Sequence, residues 1–244
     1  MYAYQNIFKR YELKYLLTRA QYETVRTAIV PYTEGDIYGK STVCNIYMDT
    51  PDFLLIRRSI DKPMYKEKLR LRSYGVPNPD SLVFLELKKK CDSVVYKRRI
   101  SLTEREAEAF LLCGDRVDNK TGSEDQILRE MEYAMAYYGS LQPAVFLSYD
   151  REAFYDKGDR DVRITFDENI LWRDYDLSLC AGVHGTPLLD RNQVLMEIKT
   201  GTSIPLWLAE ILSQNRLYKT PFSKYGNVYK LIFTMKQRKD DQYA

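Results

Sequence analysis

The stretch MYKEKLRLRSYG, residues 64–75, sets Lys66, Lys68, Arg70 and Arg72 at alternate positions. Read as a β-strand, this spacing projects all four from one face and turns Leu69 and Leu71 to the other. Same-face neighbours then lie roughly 7 Å apart, close enough for like charges to repel unless water or a counter-ion intervenes. A solvated sheet face is the ordinary explanation for any single strand of this kind. Here, however, cations recur on strand after strand: Lys14, Lys88, Lys90, Lys97, Arg99, Arg163 and Lys199. Carboxylates stand at isolated points, with Glu12, Glu86 and Glu197 each two residues before a lysine.

If such a sheet curls into a barrel, the charged faces line its lumen and the apolar faces lie under helices. Unpaired buried cations are costly, so this lumen calls for water or a polyanion. Phosphate suits it, because Arg offers a bidentate fork and Lys a strong point charge. The few carboxylates then become oxygen ligands for a divalent metal that bridges to phosphate. Glu12 and Glu86 read equally well as strand salt bridges, and Lys90, Lys97 and Arg99 as a solvated rim.

The elements that must position these residues are legible as alternating runs. They include residues 10–15, VFLELKKK, VVYKRRIS as its hairpin partner, VRITFD and LMEIKT. Helix starts are signalled by Thr18 with Gln21, Thr103 with Glu106 and Ser123 with Gln126, each matching a capping box. Ile127, Met131, Met135 and Tyr138 share one face of the helix expected after Ser123. Pro205 opens another helix, and Lys224 to Gln237 form the last. VPNPDS is a turn between strands, and with no repeat or linker the chain is expected to be one domain over 1–244, its core at about 8–235.

The 244 residues carry 37 Lys plus Arg against 34 Asp plus Glu, a net of +3. Basic regions are therefore local, which points to a focused anionic site rather than a nucleic-acid coat. The 21 tyrosines among basic strands would suit stacking on single-stranded nucleic acid, but most fall at apolar positions. Cys44, Cys91, Cys113 and Cys180 form no CxxC pair, and a lone His184 excludes histidine triads and multi-histidine metal sites. No run approaches the ~20 apolar residues that span a bilayer, and no signal core is visible, so the expectation is a soluble, cytoplasmic protein.

The E-x-K strands, LRLRSYG, SYDREAF, LMEIK and FSKYG, in this order and spacing, resemble the VTC domain. That is the polyphosphate polymerase branch of the triphosphate tunnel metalloenzymes, relatives of the CYTH phosphatases. The resemblance runs from about Phe8 to Met235. It implies an α+β fold, an antiparallel eight-stranded β-barrel with helices packed outside. It implies transfer of the γ-phosphate of ATP to a growing polyphosphate chain with Mn2+ or Mg2+. Carried over by residue, Lys14, Arg70, Arg72 and Lys88 become tunnel cations and Arg151 and Arg163 later phosphate-binding arginines. Glu197 becomes the metal-binding glutamate, Ser223 and Lys224 the contacts from the last helix, and Arg58 a further match; Ser223 reads equally as a helix N-cap. Two departures stand out. Arg10 replaces the first glutamate of the CYTH ExExK, and Pro221 occupies a common lysine position two residues before Ser223, with Lys219 nearby. Eukaryotic relatives add an SPX module and a transmembrane segment, whereas this chain reads as a free-standing domain.

The expected machinery is thus Arg70, Arg72, Lys88 and Glu197 for catalysis. Lys14, Arg58, Lys68, Arg151, Arg163, Lys199, Ser223 and Lys224 are expected to bind ATP and polyphosphate, and Glu197, Glu86 and Glu12 the metal. The alternatives are a triphosphatase using water as acceptor and a non-catalytic polyphosphate- or nucleotide-binding module. No nucleic-acid partner is expected.

Overall fold

The computed structural model describes residues 11–61, 63–91, 94–118 and 120–242, with backbone alone at 236 and 238–242. Arg10 and the N-terminal segment before it lie outside the described residues. In chain order the strands are Tyr11–Thr18 (β1), Thr33–Gly35 (β2), Ser41–Asp49 (β3), Tyr65–Tyr74 (β4), Leu82–Cys91 (β5), Val94–Thr103 (β6), Gln142–Asp156 (β7), Arg163–Arg173 (β8), Thr186–Pro187 (β9) and Gln193–Thr200 (β10). The helices are Arg19–Ala28 (α1), Leu54–Ile60 (α2), Glu104–Glu108 (α3, continuing into a π-turn), Ser123–Tyr138 (α4), Leu206–Gln214 (α5) and Lys224–Gln242 (α6).

All strands join one antiparallel sheet in the order β1-β10-β8-β7-β3-β4-β5-β6, with β2 on β7 and β9 on β8. The path holds the eight strands expected of the tunnel barrel, but among the described residues β1 and β6 exchange no ladder bonds. Across the gap between them, Lys88 of β5, next to the end strand β6, reaches Glu12 of β1 at 3.7 Å. The register runs one charged band around the sheet. Glu12 faces Lys199, Lys14 faces Glu197, and Asp167 faces Arg151. Farther round, Asn45 faces Arg72, Tyr47 faces Arg70, Arg70 faces Glu86 and Glu86 faces Arg99.

The opposite, apolar face is covered in two places. Ile46, Met48, Leu69, Leu71, Leu85, Leu87 and Ile100 pack beneath Ala107, Phe110, Leu128 and Met131 of the α3–α4 region. Tyr15, Leu17, Ile164, Phe166, Met196 and Ile198 pack beneath Val25 of α1 and Leu208 and Ile211 of α5. The expectation of helices outside holds for these four and fails for two. Ile56 of α2 and Tyr225, Val228 and Ile232 of α6 pack on Val43, Tyr47, Leu147 and Leu195. These strand residues alternate with the outer ones, so α2 and α6 fill part of the concave side.

The capping boxes at Thr18/Gln21 and Thr103/Glu106 form reciprocally. The one expected at Ser123 does not. Gly122 at φ 58° precedes the helix, and the Gln126 N–H donates to the Gly122 carbonyl at 3.2 Å, so Ser123 is already inside the first turn. Short α2 was not foreseen: the Thr50 hydroxyl accepts the Leu54 N–H at 2.9 Å, but Phe53, just before the helix, is left-handed at φ 60° and makes no side-chain cap. The buried Asp49 carboxylate supplies it instead, accepting from Leu55 N and Ile56 N and from the Tyr225 hydroxyl. One carboxylate thereby ties β3, α2 and α6 together.

Leu85, 0% exposed, backs the strand that carries Glu86. Leu85→Ala is expected to cost about 2–5 kcal/mol. Scanning calorimetry should show the thermal midpoint falling by roughly 4–20 °C.

Candidate functional site: a charged lumen with buried carboxylates

Glu86 is 1% exposed, and four cations face it. Arg70 Nε and Nη2 approach Oε2 at 2.7 Å, Arg99 Nε approaches Oε1 at 2.6 Å, and Lys97 Nζ approaches Oε1 at 2.7 Å. Arg72 stands 4.0 Å away, its Nε donating to Asn45 Oδ1 at 2.8 Å and its Nη2 to the Tyr149 hydroxyl at 3.3 Å. Burial acts to raise the Glu86 pKa, but the summed field of Arg70, Arg72, Lys97 and Arg99 outweighs it and drives it far below the carboxylate range.

A second cluster forms where β7, β8, β10 and α6 converge. Asp167, 0% exposed, takes Arg151 Nε at 2.6 Å, Arg151 Nη2 at 2.7 Å and Lys224 Nζ at 2.5 Å. Glu197 is held more loosely: Lys224 at 2.9 Å, Arg151 at 3.4 Å, Lys14 at 3.6 Å and Lys199 at 3.9 Å. Burial pushes the pKa of both carboxyls up, and these cations pull both down by more. Lys14 also bonds the Phe222 carbonyl at 3.0 Å and Glu12 at 3.1 Å. Glu12 titrates at about 2, with burial opposing and Lys14 and Lys88 prevailing. Tyr149 joins the two clusters, since Lys224 Nζ and the Arg151 guanidinium lie 4.5 and 5.0 Å from its ring centroid.

The lumen thus gathers Lys14, Arg70, Arg72, Arg151, Lys199, Lys224, Glu86 and Glu197 as buried or part-buried groups, with Lys88 and Glu12 at a wetter rim. Lys68 and Lys199 are both brought down to about 8, by burial first and then by neighbouring cations. Lys68 has no hydrogen bond or ion pair among the described residues. Arg163 lies farther along β8, bonded to Asp36 at 3.1 Å, and its Nε is buried without a partner. The Ser223 hydroxyl accepts the Gly226 N–H at 3.2 Å, which is a helix N-cap. Arg58 is not brought to these clusters. It is exposed on α2 and acts on Tyr138, whose hydroxyl bonds Glu67 on the outward face of β4. Nor are the three expected metal ligands gathered: among the described residues no three His, Cys, Asp or Glu side chains are grouped to hold a metal ion. Both oxygens of Glu86 are taken by guanidinium and ammonium groups.

Sequence reasoning missed Asn45, Tyr47 and Tyr149, and gave Asp167 no role. Asp167 was recoverable, because it shares one strand face with Arg163; Asn45, Tyr47 and Tyr149 are uncharged and carry no such mark.

Carboxylates held below their unfolded pKa of about 4.3 add stability that is present above that value and is lost as pH falls through the folded pKa. Acid denaturation followed by circular dichroism should therefore begin near pH 4, and Glu86→Gln should reduce its pH dependence. At neutral pH the same variant leaves its cations unpaired and should be less stable by about 3–5 kcal/mol. Tripolyphosphate should raise its thermal midpoint more than that of the parent.

No helix among the described residues is long and apolar enough to cross a membrane. A protein of Bacillus halodurans described as a candidate adenylate cyclase superposes with a TM-score of 0.56 at 15% identity, over 90% of this chain and 96% of its own. A Hippeastrum candidate adenylyl cyclase, reported with a dominant triphosphatase activity, does so with a TM-score of 0.51 at 14% identity, over 88% and 92%. These likenesses show that the chain shares the fold of both proteins. In sequence, subunit 4 of the vacuolar transporter chaperone complex of Trypanosoma cruzi is 24% identical over 248 residues, 84% of this chain and 29% of that protein. The Schizosaccharomyces pombe subunit is 25% identical over 233 residues, 79% and 32%. The chain spans less than a third of the length of these curated relatives. The family model of the VTC domain matches residues 9–233, nearly the whole sequence that builds the charged lumen, and the chain belongs to the VTC domain family.

Proposed function

We propose that this chain is one domain that transfers the γ-phosphate of ATP to a growing polyphosphate chain within its lumen. The observation that carries the proposal is the charge imbalance around Glu86: one buried carboxylate faces Arg70, Arg72, Lys97 and Arg99. Arg70 and Arg72 are largely shielded from water while Lys97 and Arg99 are part-exposed, and a surplus of cations so placed is unfavourable until an anion with several closely spaced charges lies across it. A phosphate chain meets that requirement, and arginine binds its oxygens in pairs.

In this scheme Arg70 and Arg72 grip the chain on one side, and Arg151, Arg163, Lys199 and Lys224 on the other, with Lys14 beside Glu197 and with Lys68 and Lys88 toward the mouth. Arg58 takes no part in the grip. Phosphoryl transfer proceeds through a loose transition state, so the protein's work is positioning and charge stabilisation. The acceptor is a phosphate oxygen that is already ionised near neutral pH, so no strong general base is needed. Glu197 and Glu12, oxygen donors that share Lys14, would hold a Mn2+ or Mg2+ ion, which would supply positive charge to offset that of the phosphates. Glu86, with both oxygens engaged by cations, is left out of that set. Four free thiols and the lack of a spanning helix among the described residues support a cytoplasmic setting, and ATP and polyphosphate are the partners rather than nucleic acid.

Incubation with ATP and Mn2+ should give a ladder on a gel stained for polyphosphate. Glu197→Ala should abolish it, and Arg72→Ala should slow it by about 10²–10³-fold. Orthophosphate without a ladder would make water the acceptor, and full activity of Arg72→Ala with unchanged ATP binding would contradict the assignment.

A further inference from the structure

Tyr47 carries a hydroxyl hydrogen with no acceptor among the described residues, in the middle of the cationic band. It sits opposite Arg70 in the register of β3 and β4, and its oxygen accepts from Arg70 Nη1 at 3.2 Å. The ring is fixed, stacked on Tyr225 with centroids 4.7 Å apart and planes at 24°, and it is buried. Tyr225 in turn donates its own hydroxyl to Asp49. The charged groups acting on the phenol are Lys68, Arg70 and Arg72 of β4, with Glu86 of β5 beyond Arg70 and Asp49 behind Tyr225. No carboxylate bonds the phenol directly among the described residues. An arginine therefore occupies the oxygen's acceptor side and leaves the O–H to donate into the space those cations share.

We infer that Tyr47 is a further substrate-contacting residue, donating its hydroxyl hydrogen to a phosphate oxygen held by Arg70 and Arg72. This rests on the phosphate-chain reading of the lumen and adds a neutral donor that the charge pattern does not reveal. It has a proton-linked consequence. Burial acts to raise the phenol's pKa, but Arg70, Lys68 and Arg72 outweigh it and bring it to about 8. Below that pH the phenol is neutral and donates at once. Above it the phenolate repels the chain until it takes a proton from solvent, so affinity is full below about pH 8 and falls as pH rises. Lys68 titrates in the same range and takes up a proton too, so the contribution of Tyr47 is read as a difference between variants.

The full chain is titrated calorimetrically with tripolyphosphate, without nucleotide, in two buffers of different ionisation enthalpy. Tyr47→Phe keeps the ring stack and removes only the hydroxyl. It should bind about tenfold more weakly below pH 8, where a lost hydrogen bond to a charged group is worth at least that factor. Just above pH 8 it should take up fewer protons per chain bound, by more than half a proton and rising toward one as pH climbs, with the thermal midpoint of the parent. Equal affinity and equal proton uptake in the two proteins would overturn the inference. A parent that fails to bind tripolyphosphate would overturn the lumen reading itself. Independently of the variant's folding, tripolyphosphate added to the parent just above pH 8 should diminish its ultraviolet phenolate absorbance, and an unchanged spectrum would also overturn the inference.

Discussion

Everything in this molecule is arranged around the cost of burying cations beside one another. Each cluster solves it with a carboxylate at its centre: Glu86 among Arg70, Lys97 and Arg99, and Asp167 with Glu197 among Arg151, Lys224, Lys14 and Lys199. Removing a partner from such a buried group leaves a charge that water cannot reach, which is why these pairs hold the lumen's geometry rather than add much net stability. They also leave it open to exchange. Around Glu86 the cations outnumber the carboxylate, so an entering polyanion completes the charge balance.

That constraint explains the inside-out sheet. A strand face that points four cations inward must turn its leucines outward, and those leucines need a second apolar layer, which α1, α3, α4 and α5 supply. The concave side cannot be polar throughout, because a fully hydrated tunnel of this size would leave Val43, Leu147 and Leu195 wet. The insertion of α2 and α6 covers them and brings the start of α6, with Lys224, to Asp167 and Glu197. Asp49 secures this arrangement by joining β3, α2 and Tyr225.

Much of this was legible in the sequence wherever charge and apolar residues alternate, as in β1, β4, β5, β6 and β10. Elsewhere the signal is weaker for physical reasons. Residues 43–49 of β3 are all buried, some against the α3–α4 region and others against α6, and although Asn45, Tyr47 and Asp49 alternate with Cys44, Ile46 and Met48, no cation marks their face as the lumen. The register of β7 shifts between Ser148 and Asp150 against β8 and between Tyr47 and Met48 against β3, which breaks the alternation along its 15 residues. Arg58 lies apart from the two clusters because α2, its start held by Asp49 and the Thr50 hydroxyl, leaves that side chain exposed. Asn45 and Tyr47 are uncharged and show as lumen residues only once the register sets them against Arg72 and Arg70, and Tyr149 only once its hydroxyl accepts from Arg72.

The account stands on the lumen receiving a phosphate chain among Arg70, Arg72, Arg151 and Lys224. A crystal structure of the chain with tripolyphosphate tests this most directly. Ligand density in contact with those four residues, within the band marked by Glu86 and Glu197, is the predicted result. Tripolyphosphate bound at saturating concentration only on the outer surface, with the Glu86 and Asp167 ion pairs undisturbed, would contradict it.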